Sequence, residues 1–98
     1  MNNFETLISD NKPVLVDFYA DWCRPCQMMA PILEDVKSQI GDQATIIKIN
    51  VDENQALAAQ YGIQSIPSLL IFKQGEVVWR EVGVHRPTEL MAALKKFL

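Results

Sequence analysis

The sequence predicts one small α/β unit with its elements in the order α-β-α-β-α-β-β-α. Three observations carry this. Short runs rich in β-branched and aromatic residues recur at 14–19, 44–51, 68–73 and 76–82. The first two barely alternate with polar residues, as strands covered on both faces do. The intervening and flanking stretches, 3–9, 25–39, 53–60 and 87–97, carry apolar residues at helical spacing.

Each element has local chemistry behind it. Phe4, Leu7 and Ile8 share one face of the first helix, and Asn11-Lys12-Pro13 ends it, because proline disfavours helix at and before its own position. VLVDFY (14–19) follows as a strand. Met28, Ile32, Leu33 and Val36 mark the second helix, Pro31 is expected to kink it, and Gly41-Asp42 stops it. About 24 residues separate the first two strands, enough for a helical crossover between parallel neighbours. Asp52 is expected to cap the third helix with Gln55 as reciprocal partner, and Gly62 to end it. Only Gln74-Gly75 separates the last two strands, which predicts a tight antiparallel hairpin. Pro87 suits the first turn of the last helix. Leu90, Ala93, Leu94 and Phe97 form its apolar face, and Lys95 and Lys96 favour its C-terminal end.

The 98 residues leave room for one domain, 1–98, with neither linker nor repeat. Hydrophobic residues at 49% and charged residues at 21% argue against disorder or a coiled coil. A net charge of −3 disfavours nucleic acid and anionic membranes as partners, since both reward Lys/Arg clusters. No apolar run approaches the ~18 residues of a membrane-spanning helix. The start, MNNFETLISDNK, lacks the basic and apolar regions of a signal peptide, so a cytoplasmic monomer is the expectation. A mature exported chain with a start Met has the same appearance.

Cys23 and Cys26 are the two cysteines. Two thiols cannot build a four-ligand structural zinc site, and the single histidine, His85, lies far along the chain. The pair sits in DWCRPC, just past the first strand and opening the long helix, where open α/β sheets place their ligands. Backbone N–H groups and the helix dipole there favour a thiolate. The i,i+3 spacing puts both sulfurs on one face, near enough for a disulfide. Pro25 is tolerated in the first turn and stiffens it. A pair of small buried hydrophobes is the bland alternative, but C-x-x-C at a βα junction is the pattern of a redox dithiol.

VDFYADWCRPC followed by APIL resembles the active-site segment of the thioredoxin family, and KINVDEN, YGIQSIPSLLIFKQGE and VGV match the family pattern in order. The resemblance covers nearly the whole chain. It implies a thioredoxin fold: a central four-stranded mixed sheet, two parallel strands plus a C-terminal antiparallel hairpin, flanked by helices on both faces. There are two departures. Arg24-Pro25 stands where the family usually has Gly-Pro. Only residues 1–2 precede the first helix, where the family has a strand, so four strands are expected rather than five, with one sheet edge open or covered differently.

The resemblance also implies roles. Cys23 is the nucleophile and Cys26 the resolving thiol. Asp17 interrupts an apolar strand, and its neighbours argue for burial; by resemblance it is the general base for Cys26, acting through water. Lys48 is either a snorkelling surface lysine or, if the strands pair in register, the partner that tunes Asp17. The matching Ile66-Pro67 bond is cis in the family, and the Ile66 backbone pairs with an extended stretch of the target. Trp22, Pro25, Ile66, Pro67, Gly83 and Val84 surround the cysteines in that fold as an apolar docking patch. Met28, Met29 and Trp79 read as packing, and His85 as a solvated loop residue.

The implied activity is a protein disulfide reductase with no bound cofactor and no metal, recharged by a separate thioredoxin reductase that draws on NADPH. Its partners are disulfide-containing proteins. Arg24 favours the thiolate of Cys23 and so pushes toward a more oxidising pair. That keeps an isomerase or oxidase of an oxidising compartment as an alternative, for which an upstream signal peptide would speak. A redox-independent binding module is a second alternative: there, replacing both cysteines with serine leaves the biological activity intact. Metal binding through the two thiols is a third, visible as stoichiometric zinc or an iron–sulfur colour.

Overall fold

The computed structural model describes residues 3–98; Met1 and Asn2, which stand where the thioredoxin pattern has its first strand, lie outside the described residues. The elements are α1 (Asn3–Ile8), β1 (Val14–Tyr19), α2 (Arg24–Ile40), β2 (Thr45–Asn50), α3 (Gln55–Gln60), β3 (Ser68–Lys73), β4 (Glu76–Val82) and α4 (Pro87–Lys95). The predicted order holds. Among the described residues four strands form one sheet in the order β2-β1-β3-β4. β1 runs parallel to β2 and antiparallel to β3, and β3 pairs antiparallel with β4.

The largely apolar runs of β1 and β3 follow from burial on both faces. Side chains alternate across a strand. Leu15, Leu69 and Ile71 therefore meet Met29, Leu33 and Val36 of α2 and Leu90 and Leu94 of α4 on one side. Val14, Val16, Phe18, Leu70 and Phe72 meet Phe4 and Ile8 of α1 on the other, with Leu57, Tyr61 and Ile63 at their border. The rings of Phe4, Tyr61 and Phe72 meet at tilted or edge-on angles, with centroids 5.3 to 5.7 Å apart. By the same alternation Asp17 and Tyr19, two and four residues beyond Leu15, belong to the α2 side.

The hairpin turn needs left-handed backbone at both central residues, and Gln74 (φ 52°) and Gly75 (φ 85°) supply it. Their N–H groups donate to the carbonyls of Asp10 and Ile8, which ties the hairpin tip to the end of α1. An irregularity between Ile71 and Phe72 lets Trp79 oppose Ile71 and Val77 oppose Phe72, with Val78 as the extra residue.

Three expectations are corrected. β2 is not a fully buried strand but an edge strand, half-buried along most of its length, with Lys48 exposed. Its apolar run is real because Ile46 borders the α2 side and Ile47 and Ile49 the opposite side. α3 begins at Gln55 with Asn54 at its cap position, so Asp52 does not cap it. α4 ends at Lys95, yet Phe97 still packs on the core. The second helix spans its expected residues, with Pro31 inside it.

Leu70 is fully buried between β1 and β4, whereas Leu7 is half exposed. Leu70→Ala should cost about 3 kcal/mol of stability by urea unfolding, and Leu7→Ala about 0.5 kcal/mol or less. Equal losses would contradict the placement of the core.

Candidate active site

The chain leaves β1 at Tyr19 and reverses over Ala20–Trp22, with the N–H of Cys23 donating to the carbonyl of Ala20 at 3.2 Å. Cys23 occupies the cap position of α2 in extended geometry (φ −88°, ψ 112°). Its Sγ accepts the backbone N–H of Cys26 at 3.2 Å. A sulfur at a helix N-terminus, where N–H groups lack intrahelical partners, is placed to carry negative charge. Gln27 clips the turn from the helix side by donating Nε2 to the carbonyl of Asp21 at 3.0 Å.

Cys23 and Cys26 are joined by a disulfide, their Cα atoms 5.2 Å apart, an ordinary bridging distance. Both residues are almost enclosed, at 5% and 4% exposure. They form a small cluster with Ala20, bordered by Tyr19, Val51 and Ile66. The Ile66-Pro67 bond is cis. Cys23 Sγ lies 3.8 Å from the carbonyl oxygen of Ile66, which can accept the S–H of the reduced form. Gly83 donates its N–H to the carbonyl of Pro67 at 2.8 Å and so joins the end of β4 to this loop. Its φ of 95° is what calls for glycine, because the space where a Cβ would stand is open.

The residues expected to form one exposed apolar patch differ in exposure. Trp22 is 70% exposed and Val84 and Pro25 are also exposed, Ile66 and Gly83 are half-buried, and Pro67 is buried. Pro67 contributes shape from beneath, since strand β3 starts immediately after it and carries it into the core.

Asp17, in β1, has no exposed surface and no hydrogen-bond partner for either oxygen among the described residues. It is in register with Lys48 across the parallel pair. Burial pushes its carboxyl from 3.8 up to about 6, and the Lys48 charge draws it part of the way back. The Lys48 ammonium stands 4.6 Å from the Tyr19 ring centroid, within cation–π reach. A cleft of about 230 Å³, bounded by Tyr19, Ala20, Asp21, Cys26, Gln27, Ala30 and Lys48, opens beside the second cysteine. Cys26 and Lys48 thus border one space.

Sequence reasoning missed one contact of the site. Trp22 donates its indole Nε1–H to Asp52 Oδ2 at 2.8 Å. Its place before the helix makes Asp52 look like the α3 cap, but the Asn50 side chain already accepts the N–H groups of Asp52 and Glu53. The helix therefore starts later and leaves the carboxylate free for the indole. Trp22 and Asp52 are 30 residues apart, and no spacing rule links them. His85 is half-buried, with Nδ1 3.0 Å from the Gly83 carbonyl and its ring edge-on to Trp79.

A cysteine pair closed across the first turn of a helix, at the C-terminal end of a parallel strand and facing a cis-proline loop, defines a thiol–disulfide oxidoreductase. Comparison with known proteins agrees. The thioredoxin family model matches residues 1–96. A thioredoxin-like protein of Synechocystis sp. is 52% identical over 97 residues, covering 99% of this chain and 92% of its own. The thioredoxin of Alicyclobacillus acidocaldarius is 47% identical, covering 98% and 91%. A mutant thioredoxin from Halobacterium salinarum superposes with a TM-score of 0.88 at 44% identity, covering 96% of this chain and 81% of that one. The chain belongs to the thioredoxin family and is a protein-disulfide reductase. The family implies disulfide-containing proteins as targets, thioredoxin reductase as electron donor and no cofactor. Among the described residues no group of three or more His, Cys, Asp and Glu is placed to hold a metal ion, and no helix is long and apolar enough to cross a membrane.

The raised Asp17 carboxyl makes stability depend on pH with a definite sign. Below pH 3.8 the group is neutral in both states and costs nothing. Between 3.8 and about 6 the unfolded chain ionises while the folded domain keeps its proton, so stability falls as pH rises. Above that window the loss is complete, about 3 kcal/mol at about 1.4 kcal/mol per pH unit. Asp17→Asn, which cannot ionise, should therefore be more stable than the parent by about 2 to 3 kcal/mol at pH 7.5. It should show no advantage from this source near pH 3.5. A difference that did not change with pH would remove the assignment.

Proposed function

We propose that this chain acts as one thioredoxin domain, a cytoplasmic monomer that reduces target proteins at Cys23 and Cys26. The observation that carries the reading is the cap position of Cys23, with its sulfur taking the Cys26 N–H and facing the Ile66 carbonyl. Cys23 as thiolate attacks one sulfur of a target disulfide. The new bond is a mixed disulfide, and the other target sulfur leaves as a thiolate and takes a proton. Cys26 then gives its proton to Asp17 through water held in the neighbouring cleft and attacks the Cys23 sulfur. The Cys23–Cys26 bond closes and the target leaves as a dithiol, having gained two electrons and two protons. NADPH, through the separate reductase, returns the pair to the dithiol.

A group held near 6 can accept a proton from Cys26 and pass it to water at neutral pH. Lys48, in register with Asp17 and bordering the same cleft as Cys26, limits how far the carboxyl rises. Trp22, Ile66, Pro67, Gly83 and Val84 receive the target. The exposed indole and Val84 give apolar contact, the Ile66 backbone offers strand-like pairing, and Pro67 and Gly83 shape the loop. Pro25 stiffens the first turn and Arg24 tunes the pair. Neither nucleic acid nor a membrane is a partner, in keeping with a net charge of −3.

The roles of the two thiols separate cleanly. Cys26→Ser should accumulate a mixed disulfide with a protein substrate, seen as a reducible mass adduct, and Cys23→Ser should form none. An adduct on Cys26 in the second variant would reverse the assignment. The reduction potential, measured against glutathione buffers, should lie near about −270 mV for a reductant. A value of about −200 mV or higher would instead make it an isomerase or oxidase.

Arg24 is exposed in the first turn of α2, so its effect on the adjacent thiolate is weakened by water. Arg24→Gly should reduce thiolate absorbance at a fixed pH near neutrality and shift the potential about 10–20 mV more negative. An unchanged potential would show the arginine to be electrostatically idle.

A further inference from the structure

The loop between β2 and α3 is built around one side chain. Asn50 closes β2 at 7% exposure. Its Oδ1 accepts the N–H of Asp52 at 2.9 Å and that of Glu53 at 3.3 Å. Its own carbonyl accepts Nδ2 of Asn54 at 3.0 Å. The loop held this way delivers two residues to the cysteines. Val51, tied by its N–H to the Tyr19 carbonyl at 2.8 Å, packs on the Cys23–Cys26 cluster. Asp52 accepts the Trp22 indole N–H at 2.8 Å.

Trp22 is 70% exposed, so packing does little to fix its ring. The indole–carboxylate bond is what orients it, and that bond can be no better placed than Asp52. We propose that Asn50 is a positioning residue for the reduction of target proteins. Its amide oxygen sets the loop that sets Asp52, and Asp52 holds the Trp22 ring in its docking orientation beside Cys23. The proposal rests on the reading above that Trp22 receives the target. A ring held in advance loses less freedom when a target docks, so the benefit falls on target binding. The chemical step, carried by the cysteines and Asp17, is left largely as it was.

The test uses the full chain and two readouts. The first is the indole N–H resonance of Trp22 in a ¹H–¹⁵N spectrum, told apart from that of Trp79 by Trp79→Phe. The second is the split between KM and kcat for reduction of a disulfide-containing protein. Asn50→Ala should move the Trp22 signal toward its position in Asp52→Ala and raise KM about fivefold, with kcat little changed. Asn50→Asp keeps an acceptor oxygen in the same place and should restore both. In an Asp52→Ala background Asn50→Ala should add nothing. A Trp22 signal that stays put in Asn50→Ala while moving in Asp52→Ala overturns the proposal, as does full additivity of the two substitutions. Asn54→Ala loosens the same loop from its exposed end and should move the signal less, in the same direction. If Asn50→Ala does not fold, a stationary signal in Asn54→Ala overturns the proposal instead. An unchanged KM in Asp52→Ala would overturn the docking role of Trp22, whereas the indole signal still decides whether Asn50 holds the ring.

Discussion

One backbone N–H, that of Cys26, reaches back across the first turn of α2 to the sulfur of Cys23. Much of the active end of the molecule follows from that contact. It requires Cys23 to stand just outside the helix in extended geometry, and the 20–23 turn provides this. It brings the second thiol one turn in, with the Cα atoms 5.2 Å apart. It also aims the unsatisfied N–H end of a 17-residue helix at the Cys23 sulfur. The same N–H can hold the sulfur as a thiolate or within a disulfide, so both redox states fit one backbone.

The rest of the fold keeps that helix end in place. α2 lies on one face of the sheet with α4, and α1 covers the other. β1, covered on both sides, feeds the turn that carries Cys23, while β3 starts just after the cis-proline loop that faces it. The site is therefore formed by the ends of central elements. Asp17, the one buried charged side chain among the described residues, sits in β1 itself. The fold tolerates there a carboxyl that opposes its own stability at neutral pH. A buried, unpaired carboxyl is not what packing alone would select.

Local chemistry made most of the architecture legible. Short β-branched and aromatic runs and helical spacing, together with proline and glycine stops, located all eight principal elements. The short turn at 74–75 fixed the hairpin. What sequence could not supply was lateral order. The run ATIIKINV is as apolar as VLVDFY, yet one is an edge and the other is central, because apolarity records which faces are covered and not which edges are paired. The site divided in the same way. The cysteines were legible because their spacing is local. Asp17 was legible because a charge in an apolar run is conspicuous. The Trp22–Asp52 bond was not, since it joins two loops through a reversal set by Asn50, and Asp52 alone looked like a helix cap.

The outer strand β2 carries a lysine near its middle. An edge strand offers unpaired backbone groups to any extended chain, and a charged side chain there discourages such pairing. Lys48 therefore answers to two demands that have nothing to do with each other. On the face it shares with Asp17 and Tyr19 its charge restrains the Asp17 carboxyl; on an edge strand the same charge also disfavours an added strand. A neutral residue at 48 would therefore release the carboxyl of Asp17 and strip the edge strand of its charge in a single change.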